Sequence, residues 1–257
     1  MFGFNKGSFE WKKSEEKIND LVAQDSRFWE LRYNNLNNYH AIILAKHIKS
    51  NNDISYLDLA FNHISNEGAI VIAEVLKQNQ TLTYLNVSNN DINAEGVTAL
   101  AEALLVNETL TNLDLSENKM GYEGAMSLAA SLLVNETLTD LNLGNNGIGD
   151  EGAMVLAEAL QENKALTRLN LGYNKIFDEG VAALAEVLIE NNTLTEPDLK
   201  GNDIGDEGAM ALAEALKVNN TLTELNLFNN VIGDECKKVL KNLSQVKGDQ
   251  LVIYVSI

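Results

Sequence analysis

Apolar residues follow two alternating rhythms along most of this chain. One stretch, represented by Leu138, Leu141 and Leu143, approaches the two-residue alternation of a β-strand with one buried side. The stretch after it, residues 152–160, has apolar residues three or four positions apart, as on one face of an α-helix. The same order of strand and then helix recurs down the chain. The pattern therefore predicts parallel strands that are connected by helices.

The repeating unit has a constant length of 28 residues. Seven clear copies follow one another without insertion or deletion, at Ile54–Thr81, Leu82–Thr109, Leu110–Thr137, Leu138–Ala165, Leu166–Thr193, Leu194–Thr221 and Leu222–Asp249. A fixed period in this range is typical of a solenoid, in which each unit buries its apolar side against its neighbours. We therefore predict one continuous domain without a linker.

The two ends of the array differ from its middle. The same frame extended towards the N-terminus finds a degenerate copy at residues 26–53, where Trp29 occupies a core position. We therefore predict eight repeats over residues 26–249. Residues 1–25 contain a short amphipathic pattern and are predicted as an N-terminal helical cap. Residues 250–257 are predicted as a C-terminal capping strand.

One strand position breaks the pattern. Pro197 stands where every other copy has an apolar residue, and proline cannot donate a hydrogen bond to a neighbouring strand. Because Leu194 and Leu199 on either side are regular, we still predict a strand. We expect a weakened joint there, with faster amide exchange around Asp198 than around Asn170.

Two asparagine columns recur with the repeat. The first follows the strand, and we interpret it as a structural ladder whose buried amides satisfy backbone groups in the turn. Its members are Asn62, Asn90, Asn118, Asn146, Asn174, Asn202 and Asn230. The second forms Asn-x-Thr triplets at the helix ends, at Asn79, Asn107, Asn135, Asn191 and Asn219. We interpret these as helix caps in the left-handed conformation rather than as glycosylation sites.

Each clear copy opens with L-x-x-L-x-L-x-x-N-x-I and closes with a helical stretch, as in Leu138–Ala165. This unit resembles a leucine-rich repeat of the ribonuclease-inhibitor-like kind. The resemblance implies an α/β solenoid in the form of a horseshoe or arc, capped at both ends. Its parallel β-sheet lies on the concave face and its α-helices on the convex face. The single cysteine, Cys236, is a departure, because mammalian ribonuclease inhibitor is rich in cysteine.

Composition narrows the expected partners. The formal net charge of −18 argues against nucleic acid and anionic membranes, which are bound through clustered Lys and Arg. No apolar run is long enough to span a membrane, and the first residues lack the pattern of a secretory signal peptide. A single cysteine fits a reducing compartment, so we expect a cytoplasmic protein. The three histidines lack metal-ligand spacing, and we expect no catalytic residues, no metal and no cofactor.

Function in such a fold is expected on the concave sheet, where exposed positions of successive strands align. The fifth position of the repeat is always Asp or Asn from the second copy onward, which indicates a scaffold role. The third and eighth positions vary. We predict that they place aromatic residues on neighbouring strands, with further contacts later in the array, and that these bind a protein partner. The predicted partner-binding residues are Phe28, Tyr33, Tyr56, Phe61, Tyr84, Arg168 and Tyr173. The alternative is that the N-terminal cap folds over some of them.

Three hypotheses follow for the function. The first is a non-enzymatic protein-recognition module, for which similarity to bacterial proteins suggests an effector that is delivered into host cells without a Sec-type signal. The second is a regulator of a small GTPase, because Ran GTPase-activating proteins are similar in repeat type and length. The third is a passive scaffold. We expect a monomer, with dimerisation through the concave face or the C-terminal strand as the alternative.

Overall fold

A computed structural model describes residues 9–23, 25 and 27–256 of the chain. Nine parallel strands form one sheet in chain order, and each pairs with the next at a spacing of 28 residues, as in Phe28 with Tyr56 and Tyr56 with Tyr84. The strands are β1 Phe28–Glu30, β2 Tyr56–Asp58, β3 Tyr84–Asn86, β4 Asn112–Asp114, β5 Asp140–Asn142, β6 Arg168–Asn170, β7 Glu196–Asp198, β8 Glu224–Asn226 and β9 Val252–Tyr254. The predicted α/β solenoid with its parallel sheet is confirmed.

One helix precedes β1, and one helix follows each strand from β1 to β8. These helices are α1 Phe9–Val22, α2 Asn38–Ser50, α3 Asn66–Leu76, α4 Ala94–Leu104, α5 Gly121–Leu132, α6 Gly149–Glu162, α7 Asp178–Leu188, α8 Asp206–Val218 and α9 Asp234–Lys247. A short 3₁₀ helix at Gly248–Gln250 leads into β9. The sheet lines the concave face of the arc and the helices cover the convex face.

The core is a continuous layer between sheet and helices. Strand residues such as Leu57 and Leu85 are fully buried, and Ala73 of α3 is buried opposite them. Gly68 lets the start of α3 pack closely against Ile64 and Asn38. A methyl group at this position would lie 2.6 Å from Ile64 Cγ2 and 2.8 Å from Asn38 Oδ1. Burial of this kind stabilises each repeat only when its neighbours are present.

The first asparagine column lies in the turns that follow the strands. Asn118 donates from Nδ2 to the carbonyl oxygens of Val87, Leu115 and Ser116 at 3.0, 3.0 and 3.2 Å. Its Oδ1 accepts from the N–H of Ile92 at 3.1 Å. One side chain therefore joins consecutive repeats and satisfies backbone groups that the end of the strand would leave buried and unpaired.

The helix-end asparagines form a second ladder. Asn107 Nδ2 donates to the carbonyl of Leu76 in the preceding repeat at 2.8 Å, and its Oδ1 accepts from the N–H of Leu110 at 2.8 Å. Asn163 and Asn219 at equivalent positions have φ of −66° and −68°, so the prediction of a left-handed conformation is wrong. The side-chain amide, rather than a left-handed residue, ends each helix.

A third ladder at the helix starts was not predicted. Asp150 Oδ1 accepts from the backbone N–H groups of Phe177 and Gly180 in the next repeat, at 2.7 and 2.9 Å. Asp178 makes the same pair of contacts with Gly205 and Gly208 at 2.7 and 3.0 Å. These acids therefore cap the helix of the next repeat. They also interact favourably with the dipole of the helix in which they lie.

The ends of the array have different contacts. Trp11 and Ile18 of α1 are buried against the core, and β9 pairs with β8 in register. The expectations about residues 1–8, including the absence of a signal peptide, fall outside the described residues, as do Ser26 and Ile257. The division of the chain into a cap, eight repeats and a closing strand stays an interpretation of the sequence.

Pro197 is buried in the middle of β7 and weakens one side of that strand. Strand β7 pairs with β6 at three residue pairs, but with β8 only at Asp198 and Asn226. An apolar cavity lies beneath Pro197 and is also lined by Leu169 and Leu171. The missing N–H thus affects the joint between β7 and β8, whereas the cavity lies between the repeats of β6 and β7.

We expect this joint to open more often than its neighbour. The N–H of Leu199 donates to Asn226 O across it at 2.9 Å, and the equivalent N–H of Leu171 donates to Asp198 O at 2.8 Å. Leu199 should exchange its amide hydrogen several-fold faster than Leu171, because local opening sets exchange. In Pro197→Leu, which restores a donor and fills the cavity, the two rates should converge. Equal rates in the unmodified chain would show that the proline has no effect.

Candidate functional site

The candidate site lies on the concave face, at the N-terminal end of the sheet. The third position of each repeat is the first residue of its strand, so Phe28, Tyr56 and Tyr84 lie side by side on β1, β2 and β3. The eighth position lies beyond the strand, in the turn. The prediction that Tyr33 and Phe61 lie on strands is therefore wrong, because β1 ends at Glu30 and β2 at Asp58. The N–H groups of both residues still donate to the next repeat, to Ala60 O and Ser88 O.

The two aromatic rows are stacked along the array. The rings of Tyr56 and Tyr84 are nearly parallel, with centroids 4.3 Å apart, and Phe28 lies 6.1 Å from Tyr56. In the turns, the rings of Tyr33 and Phe61 are stacked at 4.4 Å. Phe28 and Tyr33 are 53% and 65% exposed, and Phe61 is 40% exposed, whereas Tyr56 and Tyr84 are half-buried. These five residues form what we call the aromatic surface.

The eighth position has an unfavourable backbone for an aromatic residue. Tyr33 and Phe61 have φ of 58° and 55°, and Tyr173 has 57°. Four other copies fill the position with residues that tolerate this left-handed conformation better, namely Asn89, Asn145, Gly201 and Asn229, whereas one copy has Glu117 with φ of 57°. The scaffold therefore does not require an aromatic ring at this position, and the first two copies keep one at a conformational cost.

Replacing these two aromatic residues by Asn, which other copies have at this position, should not destabilise the fold. In Tyr33→Asn/Phe61→Asn, the better left-handed propensity of Asn offsets the lost stacking of about 1 kcal/mol. We expect the free energy of unfolding to stay within about 1 kcal/mol of the unmodified value in urea denaturation. A loss of about 3 kcal/mol or more would mean that the rings are structural.

An ion pair between buried Asp58 and half-exposed Arg32 lies beside the aromatic surface. Asp58, whose side chain is 1% exposed, lies 2.6 Å from Arg32 Nη2, and its Oδ1 accepts from the N–H of Ala60 at 2.9 Å. The Asp58 carboxylate raises the pKa of Arg32 through this hydrogen bond. Burial, together with Tyr84 and Asp58, raises the pKa of Tyr56 to about 12. The Tyr56 hydroxyl donates to Asp58 Oδ2 at 3.5 Å.

Arg168 and Tyr173 lie outside the aromatic surface. Strand β6 is three strands from β3, about 14 Å along the sheet. Arg168 Nε donates to Asp140 at 2.6 Å, and Nη1 lies 3.9 Å from Glu196, so its charge is already paired with neighbouring strands. The structure thus divides the predicted binding residues into two aromatic rows on the first three repeats and two residues further along.

Tyr173 belongs to a second small cluster. Its ring lies over Gly201, where a methyl group would collide with the ring atoms. Lys200 Nζ lies 5.6 Å from the centroid of Tyr173 and 6.0 Å from that of Phe228. Sequence reasoning missed Arg32, Lys200 and Phe228, which share the seventh position of the repeat. Ala, Ser and Gly fill this position in the copies between Arg32 and Lys200. The change from small to large side chains at this position could have identified these three residues.

The fifth position serves the scaffold, as predicted. Each Asp or Asn there accepts from the backbone N–H two residues later, as in Asn86 with Ser88 at 2.9 Å and Asn142 with Gly144 at 3.1 Å. These bonds end the strand and start the turn that carries the eighth position. The uniform column therefore orients the variable one.

Comparison with protein-family models supports this architecture. Residues 12–139 match the model "TMOD/LMOD Leucine-rich domain". Residues 134–157, 162–185, 190–213 and 218–235 match the model "Leucine Rich repeat". The chain is a leucine-rich repeat protein.

Two solved structures resemble this leucine-rich repeat protein. The first, "Leiomodin-1 Actin-Binding Site 2", is 24% identical, with a TM-score of 0.47 over 70% of this chain and 88% of that one. The second is the tropomodulin C-terminal domain of Caenorhabditis elegans, at 16% identity and a TM-score of 0.47, covering 60% of this chain and 92% of that one. A comparison with curated proteins finds no match.

The described part of the N-terminal cap of this leucine-rich repeat protein packs against helix α2. Trp11 makes an edge contact with Tyr39 of α2 at 6.4 Å, and Lys46 Nζ lies 4.6 Å from the Trp11 ring centroid. Helix α1 therefore packs on the helix side of the array. Among the described residues of the predicted cap, α1 does not cover Phe28 or Tyr33, which are exposed. Whether residues 1–8 cover the aromatic residues falls outside the described part of the chain.

His40 has a structural role. His40 Nδ1 accepts from the N–H of Asn37 at 3.1 Å and completes the cap of α2, and burial lowers its pKa to about 4. Across residues 9–23, 25 and 27–256, no group of three or more His, Cys, Asp or Glu is placed to hold a metal ion. Every helix in this part is too short or too polar to cross a bilayer.

Proposed function

We propose that this leucine-rich repeat protein recognises a protein partner through the aromatic surface, without catalysing a reaction. One observation carries the proposal. Four of the five aromatic side chains form two stacked pairs, and Phe28 lies at a tilt against Tyr56. Tyr33 and Phe61 also keep a left-handed backbone that four other copies fill with Asn or Gly. A cost of this kind at exposed positions is typical of residues that are retained for binding.

The geometry suits a binding anchor. Aromatic side chains contribute large contact areas, and here stacking fixes their orientation before the partner arrives. The ion pair between Arg32 and Asp58 links the first two repeats beside the rings, and the Tyr56 hydroxyl lies 3.5 Å from Asp58 Oδ2. The three strands β1, β2 and β3 span about 10 Å, enough for a few side chains of the partner.

Binding without catalysis is the interpretation that fits the surface best. The polar groups nearest the rings are already engaged, since Asp58 accepts from Arg32 and from the backbone N–H of Ala60. A catalytic site would instead hold a nucleophile or base aimed at open space. We propose that Arg168 and Tyr173 contact the far edge of the same partner.

A capture experiment tests the proposal. The immobilised protein is exposed to eukaryotic cell lysate and compared with a folded Tyr56→Ala/Phe61→Ala/Tyr84→Ala variant by quantitative mass spectrometry. Tyr122→Ala is the matched control, because Tyr122 is an exposed aromatic residue on the convex helix α5. Purified actin, which the description of the leiomodin-1 segment names, is a defined probe in the same assay.

A protein retained by the unmodified chain and the control, but lost from the triple variant, would support the aromatic surface as the site. Equal retention on all three would move the site elsewhere. An empty capture would favour the passive scaffold.

The biological setting is a further proposal. We propose a cytoplasmic monomer of the ribonuclease-inhibitor-like kind, as the 28-residue unit and the single cysteine suggest. The bacterial effector and the GTPase regulator stay hypotheses from the sequence, since no described residue of the concave face favours a GTPase over another protein.

A further inference from the structure

A second exposed apolar area lies on the flank of the solenoid, away from the concave face. It is formed by the last residues of two neighbouring helical segments, at the C-terminal ends of α4 and α5. Leu105, Val106, Leu133 and Val134 are 50%, 60%, 53% and 61% exposed. We call these four residues the flank patch. Together they expose a few hundred Å² of apolar surface, the size at which such patches mark interaction sites.

The repeat itself shows that the scaffold does not need apolar residues there. The equivalent pair is Lys77 and Gln78 in the preceding copy and Gln161 and Glu162 in the following one. From the first copy to the last, every other pair contains at least one polar or charged residue, whereas these two adjacent copies have none. The flank patch is therefore a local departure within an otherwise regular column.

Local contacts do not explain the departure. The backbone at this point is held by the N–H of Val106 donating to Ala103 O at 3.2 Å and by the N–H of Val134 donating to Ser131 O at 3.2 Å. Any residue type except proline can make these bonds. The neighbouring core positions Leu104 and Leu132 are already buried, so the patch adds nothing to the interior.

The charges around the patch indicate what covers it. Glu102, Glu108 and Glu136 are exposed beside it, and Lys77 is already paired with Glu74 and Glu102. An acidic rim repels an anionic membrane, and it repels a second copy of this chain, whose formal net charge is also −18. It attracts Lys and Arg side chains that flank an apolar surface.

We infer that the flank patch is a docking site for an amphipathic helix of another protein. Aliphatic residues on one face of that helix cover Leu105, Val106, Leu133 and Val134, and flanking Lys or Arg residues pair with Glu108 and Glu136. This site is separate from the aromatic surface and does not depend on the proposed function. With both sites occupied, the chain would join two proteins.

The test uses two synthetic peptides of identical Leu and Lys composition. In the first, the leucines fall on one helical face, and in the second they are dispersed. Their affinities for the protein are measured by fluorescence anisotropy at physiological ionic strength. The matched variant is Leu105→Lys/Val106→Gln/Leu133→Gln/Val134→Glu, which takes its residues from the neighbouring copies and leaves the net charge unchanged.

We expect the amphipathic peptide to bind the unmodified protein at least tenfold more tightly than the variant, and the dispersed peptide to bind both equally weakly. Equal binding of the amphipathic peptide to both proteins would overturn the inference. A patch-dependent dimer in sedimentation velocity would also overturn it, because the occupant would then be a second copy. Should the fourfold variant fail to fold, Leu105→Lys/Val106→Gln alone provides the comparison, with the same outcomes.

Discussion

Replacing Asn118 by alanine should lower the free energy of unfolding by about 3–4 kcal/mol. The change removes donors to three carbonyl oxygens and an acceptor for the N–H of Ile92. All of these backbone groups stay buried in the turns, away from water, so the loss includes their desolvation as well as the bonds themselves. Denaturant unfolding followed by circular dichroism measures the effect.

The control for this prediction lies in the same repeat. Asn112 is half-buried at the third position, and its Oδ1 accepts only from the Thr111 hydroxyl in the described structure, at 2.8 Å. Asn112→Ala should cost less than about 1 kcal/mol. If Asn118→Ala and Asn112→Ala destabilised the protein equally, the ladder would have no special role in stability.

Truncating Tyr84 to alanine should weaken binding of the captured partner by about 2 kcal/mol, or about 30-fold in Kd. The expected loss is large because Tyr84 lies at the inner end of the strand row, stacked on Tyr56 at 4.3 Å and half-buried. Burial also raises the pKa of Tyr84. Calorimetry on the purified complex measures the change.

Two substitutions on the convex face serve as controls. Tyr122→Ala removes an exposed aromatic ring of similar size, and Glu158→Ala removes one of the acids on α6. Neither should change Kd by more than about threefold, because neither residue touches the concave face. Losses as large as that of Tyr84→Ala would place the partner outside the aromatic surface.

The sequence predicted the fold almost completely because each copy repeats the same physical constraints. Leu57 and its equivalents can be buried only if the strands pair 28 residues apart, and the register shows that spacing at each strand pair. The fifth column was also predictable, because a residue type that does not vary along a variable face serves the scaffold.

The eighth column and the cross-repeat caps were not predictable from one repeat alone. The left-handed backbone of Phe61 is a property of the turn. An aromatic residue does not indicate this conformation in the sequence, whereas Asn89 or Gly201 at the same position does. Asp150 carries the ordinary signal of a helix start, yet its hydrogen bonds go to the next repeat, to Phe177 and Gly180. Such contacts depend on how closely consecutive repeats approach each other.

Hydrogen–deuterium exchange of the protein with and without its captured partner tests the central claim most directly, because it maps the contact without any substitution. Recognition through the aromatic surface predicts slower exchange in peptides that cover residues 56–63 and 84–91. It also predicts unchanged exchange in helices α5 to α7. Slower exchange that is confined to those convex helices, with residues 56–63 and 84–91 unaffected, would contradict it.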